Sequence, residues 1–160
     1  DLISYMYSFF SLEADIKNIE LIKPDFINNQ QSIIITDKDK IYSIAINLIK
    51  NAIKYTSKGF VEFGAGVDDD YFNFFVLDSG FGISREKISG IFVRFFQGDL
   101  SKNHKYESSG LGLSITKAYC ELLGGKVWCE SEVNLGSTFF VQLPIKKYLE
   151  TSNGVVNFDK

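Results

Sequence analysis

Residues 38–57 read KDKIYSIAINLIKNAIKYTS and carry the strongest helical pattern in the chain. Asp37, directly before them, has the side chain of an N-cap. At 100° per residue the apolar arc contains Ile41, Ile44, Ala45, Ile46, Leu48, Ile49, Ala52, Ile53 and Thr56. The remaining sector is polar and contains Ser43, Asn47, Lys50, Asn51 and Lys54. The pattern predicts a mostly buried helix with one polar stripe, ending near Ser57.

Strand and helix patterns on either side of this helix predict the fold class. Helical spacing occurs at 2–17, 84–88 and 111–123, and strand patterns occur at 19–22, 32–36, 60–67, 71–77, 126–131 and 137–143. Turns at 68–70 and 134–136 join two pairs of strands into hairpins. Because regular βαβ alternation is missing, we expect an α+β fold with a mixed, mostly antiparallel sheet covered on one face by helices.

Length and composition limit the possible classes of protein. The 160 residues suit one domain, and the sequence from Pro144 onward is a charged, polar tail. The net charge is −3 without a basic block, so we expect no nucleic-acid partner. Apolar runs too short to span a bilayer and the lack of a signal peptide predict no direct membrane contact and a cytoplasmic location. Cys120 and Cys129 lie in apolar patterns and are expected to be buried core residues.

Asp78-Ser79-Gly80-Phe81-Gly82 follows directly after an apolar strand pattern. A carboxylate at the end of a buried strand is unfavourable unless a group donates hydrogen bonds to it, and the exocyclic amine of adenine is such a donor. Gly80 and Gly82 allow the backbone to approach a flat ring closely. The segment is therefore a candidate base-binding loop, with an ordinary glycine-rich strand-to-helix turn as the alternative.

Asn47, Asn51 and Lys54 have the spacing i, i+4, i+7 and share one face of the predicted helix. An asparagine oxygen is a hard ligand suited to Mg²⁺, which completes its octahedron with phosphates and water. Lys54 would pair with phosphate oxygens. The alternative is a solvated face on a surface helix, which the wide apolar arc disfavours.

Gly110-Leu111-Gly112-Leu113 stands just before a helical pattern, where backbone N–H groups can bind phosphate. The alternative is a flexible turn. Arg94, between Phe92 and Phe95, would bring a charge to the terminal phosphate, unless it is a surface arginine anchored by these aromatic neighbours. His104 has no partner at the spacing of a metal site or a catalytic triad, so we assign it no catalytic role.

These segments, in this order, closely resemble the motifs of sensor histidine kinases. The matching motifs are the N box at 47–56, the G1 box at 78–83, the F box at 91–96, the G2 box at 110–115, and the ending at 136–139 and 143–144. The resemblance implies the Bergerat ATP-binding fold, a two-layer α/β sandwich with a mobile lid over the nucleotide. It covers residues 1–146, which we take as the domain, and leaves 147–160 as a C-terminal tail or linker. The chain departs from the family at Ser108-Ser109, where the family usually has Gly-Thr before the lid glycines.

The resemblance also implies a role for each motif residue. Asn51 would bind Mg²⁺ with Asn47 beside it, and Asp78 would accept a hydrogen bond from N6 of adenine. At the adenine, the other binding residues would be Tyr55 at its side, Gly80 and Gly82 beside the base, Ile83 in the G1 box, and Thr138, linked to the Asp78 side through water. At the phosphates they would be Lys54, and Arg94 at the γ-phosphate. The lid would contribute Gly110, Leu111, Gly112 and Leu113.

Within this fold, the residue one helical turn before the Mg²⁺-binding asparagine distinguishes kinases from enzymes that hydrolyse ATP. Related ATPases of this fold place there a glutamate that activates water, whereas this chain has Asn47, which cannot act as a general base. The resemblance implies transfer of the γ-phosphoryl group to a histidine on a separate dimerisation and phosphoacceptor domain of the same parent chain, for relay to a response regulator. The H box of that domain is missing here. The alternatives are a nucleotide-binding regulatory module without phosphotransfer and a serine-directed kinase of the same fold.

Overall fold

The computed structural model describes residues 2–24, 37–68, 70–94 and 110–145, together with the backbone of two strands at 148–151 and 154–157. In chain order the elements are α1 (Leu2–Ile16), β1 (Ile19–Ile22), α2 (Lys38–Tyr55), β2 (Gly59–Val67), β3 (Tyr71–Asp78), α3 (Arg85–Ile88), α4 (Gly112–Leu122), β4 (Lys126–Glu132), β5 (Gly136–Pro144), β6 (Tyr148–Thr151) and β7 (Gly154–Asn157). The predicted strand at 32–36, the segment 98–109 and His104 lie outside the described residues.

Five strands form one mixed sheet in the order β1-β2-β3-β5-β4. Strands β1 and β2 are parallel, and the other neighbours are antiparallel. Every second side chain of β3 is buried, namely Phe72, Phe74, Val76 and Asp78, which is the pattern of a sheet covered on one face. Helices α1, α2 and α4 pack against the sheet and close the core. The predicted α+β sandwich is confirmed.

Helix α2 lies in the core, as its wide apolar arc predicts. Its buried side chains are Ile41, Ile44, Ala45, Leu48, Ile49, Ala52 and Ile53. The Asp37 side chain accepts a hydrogen bond from the Lys40 N–H at 3.1 Å, which confirms the N-cap. The helix ends at Tyr55, two residues earlier than predicted, because Thr56 is already extended on the way to β2. At this end the Lys17 Nζ donates to the Ile53 carbonyl oxygen at 2.8 Å, which satisfies a helix-terminal acceptor.

The polar C-terminal stretch differs from the sequence prediction, which assigned no secondary structure to it. Strands β6 and β7 pair antiparallel, with Thr151 opposite Gly154. Strands of four residues are too short for their alternation to stand out from a charged background. The domain boundary at residue 146 stays a prediction.

Both cysteines are buried free thiols, as predicted. Burial raises the pKa of Cys120 and of Cys129 to about 12, so both behave as small apolar core residues. Within the described ranges, no helix combines the length and apolar character needed to cross a bilayer.

Candidate nucleotide-binding site

Asp78 is the most deeply buried carboxylate among the candidate residues. It ends β3, is 4% exposed, and lies opposite Val61 of β2 and Ser137 of β5. The Gly80 N–H donates to its Oδ1 at 2.8 Å. Burial raises the pKa of Asp78 to about 6, while hydrogen bonds from the Gly80 and Ser137 backbone act in the opposite direction. The carboxylate is thus held partly desolvated, where an additional donor would be favourable.

The raised pKa of Asp78 predicts that the difference in stability between the wild type and Asp78→Asn depends on pH. Because the folded state binds the proton more tightly than the unfolded state, this group stabilises the fold below about pH 4 and loses that contribution as the pH rises through 6. The free energy of unfolding of the wild type, minus that of Asp78→Asn, should therefore fall by about 2 kcal/mol between pH 4 and pH 7. Urea unfolding of both proteins across this range measures it, and a constant difference would contradict the assigned environment.

The loop after Asp78 is held tightly against the end of α2 and the turn between β4 and β5. A side chain at Gly80 would collide with the carbonyl oxygen of Tyr55, to which the Phe81 N–H donates at 3.4 Å. Gly82 has φ +67°, and a Cβ there would strike the carbonyl oxygen of Glu132. The two glycines are therefore required by the backbone packing of the loop, whatever it binds.

Gly82→Ala should lower the free energy of unfolding by about 2 kcal/mol or more. Positive φ alone costs a residue with a side chain roughly 1–2 kcal/mol, and the collision adds to it. Gly66→Ala is the matched control, because a Cβ at Gly66 has no neighbour within 4 Å, and its effect should stay within about 0.5 kcal/mol. Urea unfolding compares the two, and equal losses would show that the Gly82 turn is not restrained.

Two serines that the sequence analysis did not select tie this loop to the sheet. The Ile83 N–H donates to Ser131 Oγ at 2.7 Å, and Ser131 Oγ donates to the Gly136 carbonyl oxygen at 2.8 Å. Ser137 Oγ lies 2.9 Å from Ser131 Oγ. Ser137 also provides a backbone hydrogen bond to Asp78. The buried alternation of Ser137, Phe139, Val141 and Leu143 was the available signal for its inward position.

Thr138 is not the residue of β5 that lies opposite Asp78. It pairs with Leu77, not with Asp78, and it is half-buried between the buried neighbours Ser137 and Phe139. Successive side chains of a strand point to opposite faces, so Thr138 lies on the sheet face away from Asp78. The residue beside Asp78 in β5 is Ser137, and the water link through Thr138 stays a prediction.

The polar stripe of α2 faces the start of α4. Asn47, Asn51 and Lys54 are half-buried, and the Asn47 Nδ2 donates to the Gly112 carbonyl oxygen at 3.3 Å. Lys54 Nζ lies 5.0 Å from the centre of the Tyr55 ring. Within the described residues the Asn51 amide makes no hydrogen bond. The stripe is therefore partly enclosed rather than fully solvated.

Helix α4 begins at Gly112, and among the described residues no side chain caps its N-terminus. Leu111 occupies the cap position, Gly110 precedes it with φ +66°, and Leu113 packs against the core. The Thr116 hydroxyl donates to the Gly112 carbonyl oxygen at 3.0 Å. This hydrogen bond uses a carbonyl of the first turn and does not involve the N–H groups at the start of the helix. An uncapped helix N-terminus next to Asn47 can accept an anionic group such as phosphate.

Arg94 is not brought to these residues by the part of the chain that the structure describes. It is exposed at the end of a described range and makes no hydrogen bond or ion pair there. Phe92 instead anchors this segment, with its ring edge-on to Phe139 at a centroid distance of 6.3 Å. The role of Arg94 stays a prediction. Tyr55 is exposed, and its carbonyl rather than its ring contacts the loop after Asp78.

Residues 36–147 match the family of histidine kinase-, DNA gyrase B- and HSP90-like ATPases. The chain belongs to this family. Histidine protein kinase 1 of Candida albicans is 42% identical over 132 residues, which are 78% of this chain and 5% of that protein. The predicted type of domain, an ATPase domain of the histidine kinase type, is confirmed by these similarities.

Solved structures of histidine kinases have the same fold as this ATPase domain. Full-length ShkA in complex with AMPPNP superposes with a TM-score of 0.79 at 28% identity, covering 90% of this chain and 29% of that one. The nucleotide-free catalytic domain of ThkA superposes with a TM-score of 0.75 at 28% identity, covering 90% and 92%. Most of the Candida protein and of ShkA therefore lies outside the compared region.

Proposed function

We propose that this domain binds ATP with Mg²⁺ and transfers the γ-phosphoryl group to a histidine on a separate dimerisation and phosphoacceptor domain of its parent protein, for relay to a response regulator. The single observation that carries the proposal is Asn47. One turn before Asn51, it has an amide that donates to the Gly112 carbonyl oxygen, so it offers no carboxylate to activate water. We propose the cytoplasm as the compartment, because ATP is supplied there.

The adenine would bind at Asp78, with its exocyclic amine donating to the buried carboxylate. The glycine loop after Asp78 would lie along the ring, held in place by the close packing of Gly80 against the Tyr55 carbonyl and of Gly82 against the Glu132 carbonyl. A carboxylate that already accepts from Gly80 and Ser137 is fixed in orientation, which supports selection of an amine over the carbonyl of guanine.

The phosphates would extend from the base toward the polar stripe of α2 and the uncapped start of α4. Lys54 and the N–H groups after Leu111 would bind phosphate oxygens, and the Asn51 oxygen fits Mg²⁺. The described residues contain no cluster of three or more His, Cys, Asp or Glu side chains able to hold a metal ion. Mg²⁺ would therefore be held mainly through ATP itself, and it would neutralise the phosphate charge.

In the proposed reaction a nitrogen of the acceptor imidazole attacks the γ-phosphorus in line. The bond from that phosphorus to the β,γ-bridging oxygen breaks, ADP leaves with the bonding electron pair, and the imidazole loses its proton to solvent or to a base on its own domain. Arg94 would stabilise the charge on the transferring group. The domain's own part is to position and polarise the phosphates, since the nucleophile comes from elsewhere.

ATP turnover by the isolated domain should be very slow, well below about 1 per second, the low end of ordinary enzymes. Release of inorganic phosphate at saturating ATP and Mg²⁺ measures it, with calorimetric titration of a non-hydrolysable analogue as the proof that the site is filled. Rapid hydrolysis by a domain that carries asparagine at position 47 would contradict the kinase assignment.

A further inference from the structure

Helix α1 has an exposed apolar face in addition to the buried face that joins the core. The buried face is formed by Ile3, Met6, Phe10 and Ala14. On the other side lie four large apolar residues, which we call the α1 outer stripe: Tyr5, Phe9, Leu12 and Ile16, exposed by 49%, 56%, 69% and 74%. Single exposed apolar residues are common, but four in one line on one helix indicate an interaction surface.

The spacing of the α1 outer stripe is that of a helix-packing seam. Successive members are four, three and four residues apart, as the a and d positions of a heptad are. At 100° per residue they fall within about 60° of arc, so a second helix can contact all four. The Tyr5 ring stacks on Phe9 at 6.1 Å and meets Tyr42 of α2 at 5.2 Å, which holds the surface in place.

Along α1 itself the edges of the stripe are acidic, while at its N-terminal end the Lys38 ammonium group of α2 lies 5.1 Å from the centre of the Tyr42 ring that meets Tyr5. Glu13 and Asp15 are exposed and flank it on opposite sides, and the last turn of α1 has no basic residue. The ammonium group of Lys17, just beyond, donates to the carbonyl oxygen of Ile53 in α2. Ser8 and Ser11 donate their hydroxyls back to carbonyls of α1, so they present short, internally bonded side chains beside the stripe.

We propose that the α1 outer stripe binds an amphipathic helix of another domain or protein, whose apolar a and d positions are flanked by Lys or Arg at e and g. The apolar seam gives the helical register, and the acidic edges select the charge of the partner. A second copy of α1 has no basic side chain between Leu2 and Ile16 to pair with Glu13 and Asp15, and these two carboxylates disfavour an anionic membrane surface. This proposal is independent of phosphotransfer.

The test uses a fluorescent 21-residue peptide with Leu at every a and d position and Lys at every e and g position, and a twin with Glu at e and g. Anisotropy should detect binding of the Lys peptide, weakened at high salt, and no comparable binding of the Glu peptide. Leu12→Ser should weaken the binding of the Lys peptide about tenfold. Leu122→Ser on α4 is the matched control, because Leu122 is 71% exposed against 69% for Leu12, and it should change nothing.

Charge reversal makes the test specific. The double variant Glu13→Lys, Asp15→Lys should prefer the Glu peptide, with thermal unfolding showing that the domain remains folded. Equal binding of both peptides, equal effects of Leu12→Ser and Leu122→Ser, or an unreversed preference would overturn the proposal. A wild-type dimer in sedimentation that Leu12→Ser abolishes would assign the stripe to a second copy instead, and binding to anionic vesicles would assign it to a membrane.

Discussion

Replacing Asp78 with asparagine is expected to lower the affinity for ATP by about 10- to 100-fold while leaving the fold intact. A hydrogen bond to a buried charged acceptor is worth about 1.5–3 kcal/mol, which corresponds to that range of dissociation constants. The neutral amide also keeps an NH₂ group that would face the adenine amine, donor against donor. Asp78 is 4% exposed, so water cannot substitute easily for the lost interaction.

Calorimetric titration with ATP and with GTP measures this effect on affinity and on base selection. Asp68→Asn is the matched control, because Asp68 lies beyond the opposite end of β3, where it accepts from the Tyr71 N–H at 2.8 Å and from Asn73 at 2.9 Å. That variant should bind ATP as the wild type does. Unchanged ATP affinity in Asp78→Asn would show that the base binds elsewhere.

Asn51→Ala is expected to reduce phosphotransfer by about 100-fold or more and to remove the dependence of ATP affinity on Mg²⁺. Its amide oxygen is the Mg²⁺ ligand that the chain itself is proposed to supply, and a removed group that stabilises transferring charge typically costs about 10²–10³ in rate. Since Asn51 is half-buried and makes no hydrogen bond in the described part of the chain, its truncation should disturb the fold little.

The measurement compares ATP affinity with and without Mg²⁺ for Asn51→Ala and for Ser43→Ala. Ser43 belongs to the same polar sector of α2 but lies two turns toward the N-terminus, so its variant should keep the full Mg²⁺ effect. If Asn51→Ala still gains affinity from Mg²⁺, the metal is held by other groups and the proposed site is wrong.

The helical period and the strand ends made much of this fold predictable from the sequence. The arc of α2 indicated a buried helix because apolar residues filled most of its circumference, and the structure buries eight of the nine residues of that arc, all except Ile46. Asp78 was identifiable from the sequence because a charge at the end of an apolar strand is desolvated, which is unfavourable. Its raised pKa reflects this desolvation.

Features that depend on contacts between distant segments were not predictable from local patterns. The contact of Ser131 with Ile83 joins residues 48 apart in the chain, and the hydrogen bond from Asn47 to Gly112 joins residues 65 apart. The placement of Thr138 opposite Leu77 is of the same kind, because the register of β3 against β5 decides which of two adjacent residues lies beside Asp78.

The buried hydroxyl of Thr56 illustrates a third limit of sequence patterns. The helical period put Thr56 in the apolar arc, and it is indeed 1% exposed, but its Oγ1 is the one buried side-chain polar atom without a hydrogen-bond partner among the described residues. It follows Tyr55, whose carbonyl contacts the loop after Asp78. Periodicity indicates which side of a helix is buried, not whether a polar atom there finds a partner.

Transfer of labelled γ-phosphate from ATP to a separately supplied helical hairpin that carries a phosphoacceptor histidine tests the central claim most directly. The account predicts that label appears on the hairpin, that the linkage is acid-labile and alkali-stable as expected for phosphohistidine, and that replacing the hairpin histidine abolishes it. Filled ATP sites with no label on any supplied histidine, label released only as inorganic phosphate, or label on serine would contradict it.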